Sequence, residues 1–294
     1  MTRPWRYWFL AYLLLLAALF CNYIWLHRQA EFHGAVRSGF LPPVQEDAQE
    51  LFPPQIDPCV GVVRYLQVSD RIRVRYCIPE DSYQAAKENR QPSNFFSSFQ
   101  TLGEYYRLLE IHDAPELSRL ASTISKFALT RSLSYQNILV SIVNSIQRIE
   151  YTFVHQGSHE DFQLYTLDAD HAKHLGRFPS GNACQLGGCC EMVEPIGIFS
   201  PVEVAYHQLA DCDSRVVFLH CLLGLIGIPS VILISEIEAH ALLGVYLPSN
   251  PWRGDAVIYD PVTQKNYVVW ETTSAIPPGI YKDFSPDNWK IVAR

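Results

Sequence analysis

A mixed α+β body, with a helix layer packed on an antiparallel sheet, is the fold class this sequence predicts. Three observations point to it. Apolar residues recur at helical spacing between residues 113 and 146. A capped short helix leads into a long apolar helix over residues 200–228. Four short β-rich runs then follow one another, at residues 231–235, 241–247, 256–259 and 266–270. Helices first and strands after give segregated layers rather than alternating βαβ units.

The chain has 294 residues, 48% of them hydrophobic, which suffices for one sizeable core. Its net charge of −7, with no basic tract, argues against a nucleic-acid partner. The 16 Tyr, 15 Phe and 6 Trp read as packing residues.

Residues 1–28 are expected to be an N-terminal membrane anchor. Residues 5–26 carry one charge, Arg6, and have the length of about 20 residues that a bilayer-crossing helix needs. Trp5, Tyr7 and Trp8 at one end, and Tyr23 and Trp25 at the other, suit the two interfaces. A cleaved signal peptide is the rival, but no small-x-small site follows the apolar run. Arg3 and Arg6 against Arg28 and Arg37 give a slight bias. It makes this a single-pass protein of the inner (plasma) membrane with its body outside the cytoplasm, periplasmic in a Gram-negative source. Residues 29–58, with Pro42, Pro43, Pro53, Pro54 and Pro58, read as a stiff linker.

Residues 59–130 are expected to hold a hairpin and a helical lead-in, and residues 131–294 the domain that carries the chemistry. The hairpin turns around Ser69 and Asp70 and places Cys59 nearly opposite Cys77. A disulfide there would suit an oxidising compartment; two buried thiols explain the same spacing. Asp113 is the expected cap of a helix that buries Leu117, Leu120, Ala121, Ile124 and Phe127. Ser134 is the expected cap of the next, which buries Ile138, Leu139, Ile142, Val143 and Ile146. Ser200-Pro201-Val202-Glu203 is a capping box with Pro at the first helical position.

Two segments carry chemistry. Asp211-Cys212-Asp213-Ser214-Arg215 opens the long apolar helix, and His240 opens a strand. With Asp211 as the cap, Cys212 lies in the first helical turn, where the helix end favours a thiolate. Asp211 and Asp213 oppose that effect. A thiol and an imidazole so placed are the parts of a nucleophile–base pair.

Asp211-Cys212-Asp213-Ser214-Arg215, a helix ending at Gly227-Ile228, a strand, and then His240 resemble the transglutaminase-like cysteine enzymes of bacteria. Tyr267-Val268-Val269-Trp270-Glu271-Thr272-Thr273 is similar to the third block of that family, and the resemblance covers roughly residues 134–273. It implies a papain/transglutaminase-like core, with Cys212 as nucleophile and His240 as base. The acid that orients His240 would be Glu271, with Asp260 as the alternative. Asp260-Pro261-Val262-Thr263 mimics an Asp-Pro-Thr string of many members but also fits a turn between strands. A Cys212 thioester would then form on a peptide or protein amide, leading to hydrolysis (peptidase or amidase) or to transglutamination.

Ala210 stands where members have Gly. If the backbone there needed a positive φ, Ala would strain it. The alternative is therefore a catalytically inactive binding or scaffolding domain of the cell envelope. The Cys212 amide and the Gln208 side chain are the candidate oxyanion donors. His171, His174, Cys184, Cys189 and Cys190 form a second constellation whose spacing matches no tetrahedral zinc pattern. A disulfide from Cys184 to Cys189 or Cys190 serves equally well, and no metal or cofactor is expected. Cys221 is expected in the core.

Overall fold

The structure, a computed structural model, describes residues 49–51, 60–69, 72–90, 100–156, 190–193, 196–247 and 254–294. The expected anchor, almost all of the linker, Cys59, His171, His174, Cys184 and Cys189 lie outside these residues. Among the described residues no helix is long and apolar enough to cross a membrane.

Strand β1 (Gln49–Leu51), β2 (Gly61–Ser69) and β3 (Ile72–Pro79) form a small sheet in the order β1-β3-β2. β2 and β3 are the expected antiparallel hairpin, with Val63 opposite Cys77. Cys77 is disulfide-bonded. Leu66, Val74, Tyr76 and Ile78 turn inward from the hairpin, as alternation requires.

Helix α1 (Glu80–Asn89) follows β3 directly. Arg90, at its C-cap, makes a buried two-point contact with Glu203, at 2.7 and 2.8 Å. Helix α2 (Leu102–Thr130) is one continuous 29-residue helix. It starts well before the expected cap at Asp113. Thr101 is the cap, in a reciprocal box with Glu104, and Pro115 lies inside the helix on its exposed face. Asp113 does cap a helix, but not its own: its Oδ2 accepts the Val202 N–H at 2.7 Å, and the Ser200 hydroxyl bonds it too. Helix α3 (Tyr135–Gln147) begins at Ser134 as expected, and Leu139, Ile142, Val143 and Ile146 are buried.

Short strands β4 (Glu150–Tyr151) and β5 (Phe153–His155) come next, and β5 pairs in parallel with β6 (Cys190–Met192). Helix α4 (Pro201–His207) carries the expected capping box of Ser200 and Glu203. Strand β7 (Leu209–Ala210) pairs in parallel with β4. Helix α5 (Cys212–Leu225) follows, ending at Gly227 with φ +77°, where the Ile228 N–H donates to the Leu223 carbonyl at 2.8 Å. Such a reversal favours Gly.

The main sheet is antiparallel. Its strands are β8 (Ser230–Ser235), β9 (His240–Tyr246), β10 (Val257–Asp260), β11 (Lys265–Trp270) and β12 (Lys290–Ala293), in the order β10-β11-β9-β8-β12. The first four match the expected strands, and β12 is an addition. Ala241, Leu243, Val245, Val268 and Trp270 face the helices. Val231, Leu233, Leu242, Tyr267 and Val269 face a second cluster, which Trp289 closes and which Tyr281 and Phe284 border. Burial on both faces explains why β8 and β9 read as unbroken apolar runs. Each fully buried aliphatic side chain contributes on the order of 1.5–3 kcal/mol.

Gly103, in the first turn of α2, abuts β12, and a Cβ there would overlap the Val292 carbonyl oxygen. Gly103→Ala should therefore lower stability by about 1–3 kcal/mol, read as a fall in Tm of several degrees. An unchanged Tm would contradict the close approach. Burial pushes the Asp113 carboxyl up to about 7; its hydrogen bonds oppose this, and Glu203 and Glu116 add to it. An acid whose folded pKa exceeds its unfolded value of about 3.9 costs nothing below that pH. The cost grows as pH rises toward the folded value and is complete above it. Asp113→Asn should thus raise Tm relative to wild type more at about pH 8 than at about pH 4, which paired thermal melts would check.

Candidate active site

The chain enters Cys212 through a braced turn. Gln208 ends α4 in the left-handed conformation, φ 56°. Ala210 lies in β7, opposite Tyr151, and its carbonyl accepts the Thr152 N–H at 3.3 Å. Its backbone is thus extended, and alanine fits there without strain. Asp211 is the N-cap of α5, as expected, accepting the Ser214 N–H at 2.9 Å.

Cys212 is the first residue of α5 and is 6% exposed. Its Sγ donates to Asp213 Oδ2 at 3.4 Å, and the backbone N–H of Ala241 donates to the sulfur. Asp213 is itself held by the Tyr106 hydroxyl, which donates to Oδ1 at 2.8 Å. Burial pushes the Cys212 thiol well above its ordinary value; Asp213 and Asp211 push the same way, and the Ala241 amide opposes them. The resting group is therefore a thiol. Burial likewise raises the Asp211 carboxyl to about 7, helped by Asp213.

His240 opens β9, directly after Ala239 at φ 44°. Strand β11 pairs with β9 only as far as Trp270 opposite Leu243, so β9 outruns it at this end. Beyond the last pair the chain bends, and Glu271 meets His240: Nε2 lies 2.8 Å from Oε2, with both side chains 6% exposed. Bonding to a carboxylate places a proton on Nε2. Two other residues hold Glu271 in place. The Thr273 N–H and hydroxyl both donate to Oε1 at 2.6 Å, and Gln147 Nε2 donates to the Glu271 carbonyl at 2.7 Å. Tyr281 stacks near the His240 ring and Trp289 meets it edge-on, each at 6.5 Å between centroids.

Burial alone would lower the His240 pKa. The Glu271 carboxylate outweighs it, with Asp213 and Glu238 adding, so the net direction is upward. Burial likewise opposes ionisation of Glu271, but His240 and the Thr273 bonds carry its pKa below the ordinary carboxylate value. The carboxylate thus stabilises the imidazolium that forms when His240 takes a proton.

Asp260, the alternative acid, lies at the opposite end of β11 from Glu271, paired with Lys265. It accepts the Val262 and Thr263 N–H groups at 3.2 Å and two Arg294 donors at 3.0 Å. The Arg294 guanidinium, with these turn donors, holds its carboxyl far below the usual range. It is a turn and anchoring residue. Gln208, the candidate oxyanion donor, is turned to the hairpin: its Nε2 donates to the Tyr65 carbonyl at 2.7 Å and lies 3.4 Å from the Tyr76 hydroxyl. That commitment removes it from the oxyanion role. Cys190 opens β6, and among the described residues no group of three His, Cys, Asp or Glu is placed to hold a metal. Cys221 is buried and free in α5, as expected.

Arg215 and the Tyr106–Asp213 bond belong to the site although sequence reasoning gave them no role. The one available signal was a lone arginine inside an otherwise apolar helix. No family model, curated protein or solved structure matches the chain.

Glu271→Gln removes the charge that raises the His240 pKa and leaves burial unopposed. The His240 pKa should fall by about 1–3 pH units, measured by NMR titration of the ring Cε1 proton. An unchanged or higher value would contradict the assignment.

Proposed function

We propose that this chain is a membrane-anchored cysteine acyl-transfer enzyme with a papain/transglutaminase-like core, acting as a hydrolase on peptide or protein amides. One observation carries the reading. A buried imidazole is held by a buried carboxylate at 2.8 Å, and the next amide along the strand, that of Ala241, reaches the sulfur at the start of α5. A nucleophile, a base and an orienting acid in that order form a catalytic triad.

In the proposed reaction the Cys212 sulfur attacks the amide carbonyl carbon, and its proton passes to His240. Because Nε2 is engaged with Glu271, Nδ1 is assigned this exchange. Collapse of the tetrahedral intermediate breaks the C–N bond, and His240 returns the proton to the leaving amine. Water then attacks the thioester, giving its proton to His240. The C–S bond breaks, the carboxylic acid departs and Cys212 regains its proton. The Cys212 backbone N–H, at the start of α5, is the candidate donor to the oxyanion.

The raised thiol pKa makes this a general-base mechanism, in which the proton moves as attack occurs. The disulfide at Cys77 supports a body outside the cytoplasm. A catalytically silent domain of the cell envelope remains the second reading, and the near-complete burial of Cys212 is the observation in its favour.

Cys212→Ala should keep its circular dichroism spectrum and Tm yet lose all cleavage of a mixed peptide library, scored by mass spectrometry. Cleavage surviving in that variant ends the enzyme reading. In wild type, iodoacetamide should label Cys212 faster than Cys221, and His240→Ala should slow that labelling about tenfold, the equivalent of one pKa unit. Equal labelling with and without His240 favours the silent domain.

A further inference from the structure

Arg215 is 1% exposed and carries its charge into the centre of the molecule. Its Nε donates to the Ala210 carbonyl at 3.1 Å. Nη1 donates to the carbonyls of Ile146 at 3.2 Å and Thr272 at 3.0 Å, and Nη2 to that of Ile149 at 2.9 Å. The ring of Tyr151 lies 5.5 Å from the guanidinium carbon.

These acceptors are not scattered. Ala210 is in the turn that delivers Cys212, and Thr272 directly follows Glu271. Ile146 and Ile149 bracket the end of α3, whose Gln147 also holds the Glu271 carbonyl. One rigid planar group thus ties the nucleophile turn and the acid-bearing strand end to the same helix end. A rigid fork suits several fixed acceptors better than a single ammonium point charge does.

All four bonds end on main-chain carbonyls rather than carboxylates. The charge is therefore not cancelled by a contact partner, and its field reaches Asp211, Glu271 and Cys212. Desolvating a guanidinium is costly, and an apolar side chain would fill the same volume without that cost. The placement of the charge, beneath a cysteine flanked by two aspartates, is what distinguishes this residue from a packing residue.

We propose that Arg215 is a positioning residue of the Cys212–His240–Glu271 site, fixing the nucleophile turn against the Glu271 strand end and supplying the positive field in which the thiolate forms. The proposal rests on the enzyme reading above.

The test is iodoacetamide labelling of Cys212 across pH in the full chain, read by peptide mapping, with circular dichroism confirming folding. Arg215→Gln keeps donors for the carbonyls but loses the charge. It should slow labelling near neutral pH about tenfold and move the alkaline limb of the profile up by about one pH unit. Arg215→Lys keeps the charge and should recover most of that rate. A merely structural role predicts the opposite for Arg215→Gln, because a loosened turn exposes the thiol and speeds labelling. Unchanged or faster labelling in folded Arg215→Gln overturns the proposal, as does failure of both variants to fold. Where only Arg215→Lys folds, a displaced pH profile upholds it and an unchanged one overturns it. His240→Ala in the same assay tests the underlying reading separately. If His240→Ala slows labelling and Arg215→Gln does not, only the Arg215 assignment falls.

Discussion

Helix α5 is buried along almost its whole length: every residue from Ser214 to Leu223 is removed from solvent. Every polar group it carries must therefore find a partner inside the protein. Ser214 Oγ accepts the Phe199 N–H at 3.0 Å, and Asp211 satisfies the Ser214 amide. His220 lies 2.5 Å from a Glu110 oxygen and 3.2 Å from the Ser230 carbonyl. Those partners come from α2, from β8 and from the segment before α4. The helix thus dictates where its neighbours lie, and the Cys212 sulfur inherits that rigidity.

The same burial sets the electrostatic character of the site. Asp211 and Asp213 act on the cysteine, Glu271 acts on His240, and the Arg215 charge is felt by Asp211, Glu271 and Cys212. In a dry interior such charges interact far more strongly than at a surface. Asp213, steadied by Tyr106, holds the thiol hydrogen at rest, while Glu271 keeps the imidazole aligned. The proton is stored on the sulfur side and the orientation on the imidazole side. The proposed proton transfer would link two groups that other bonds already fix.

Much of this was legible in the sequence wherever the cause is local. Ser134, Ser200 with Glu203, and Asp211 are caps in both readings, because capping needs only a short polar side chain and nearby amides. The apolar runs of β8 and β9 announced strands, but not that both faces of the sheet would be covered. Turn chemistry separated the two acids: Asp260 is followed by residues whose amides fold back onto it, whereas Glu271 follows an apolar strand. What escaped is non-local. Asp113 has the signature of a cap but serves α4, far along the chain. Gln208 points where the hairpin's carbonyls are, and no spacing reveals that. The meeting of His240 with Glu271 depends on β11 ending opposite Leu243, a matter of register. Strand β12, four residues after an irregular segment, was not foreseen.

The contact of Gly103 with Val292 has a kinetic meaning. It joins the first turn of the long helix to the last strand of the sheet, near opposite ends of the described body. Trp289, which closes the cluster beside His240, belongs to the same late stretch. Pairings so remote in sequence carry a large loop-closure penalty before they return any binding, so such topologies fold slowly. During synthesis the helical layer leaves the ribosome first and waits for its edge strand. The aromatic cover of the imidazole comes from this same late stretch, so the candidate site is complete only once that stretch has docked.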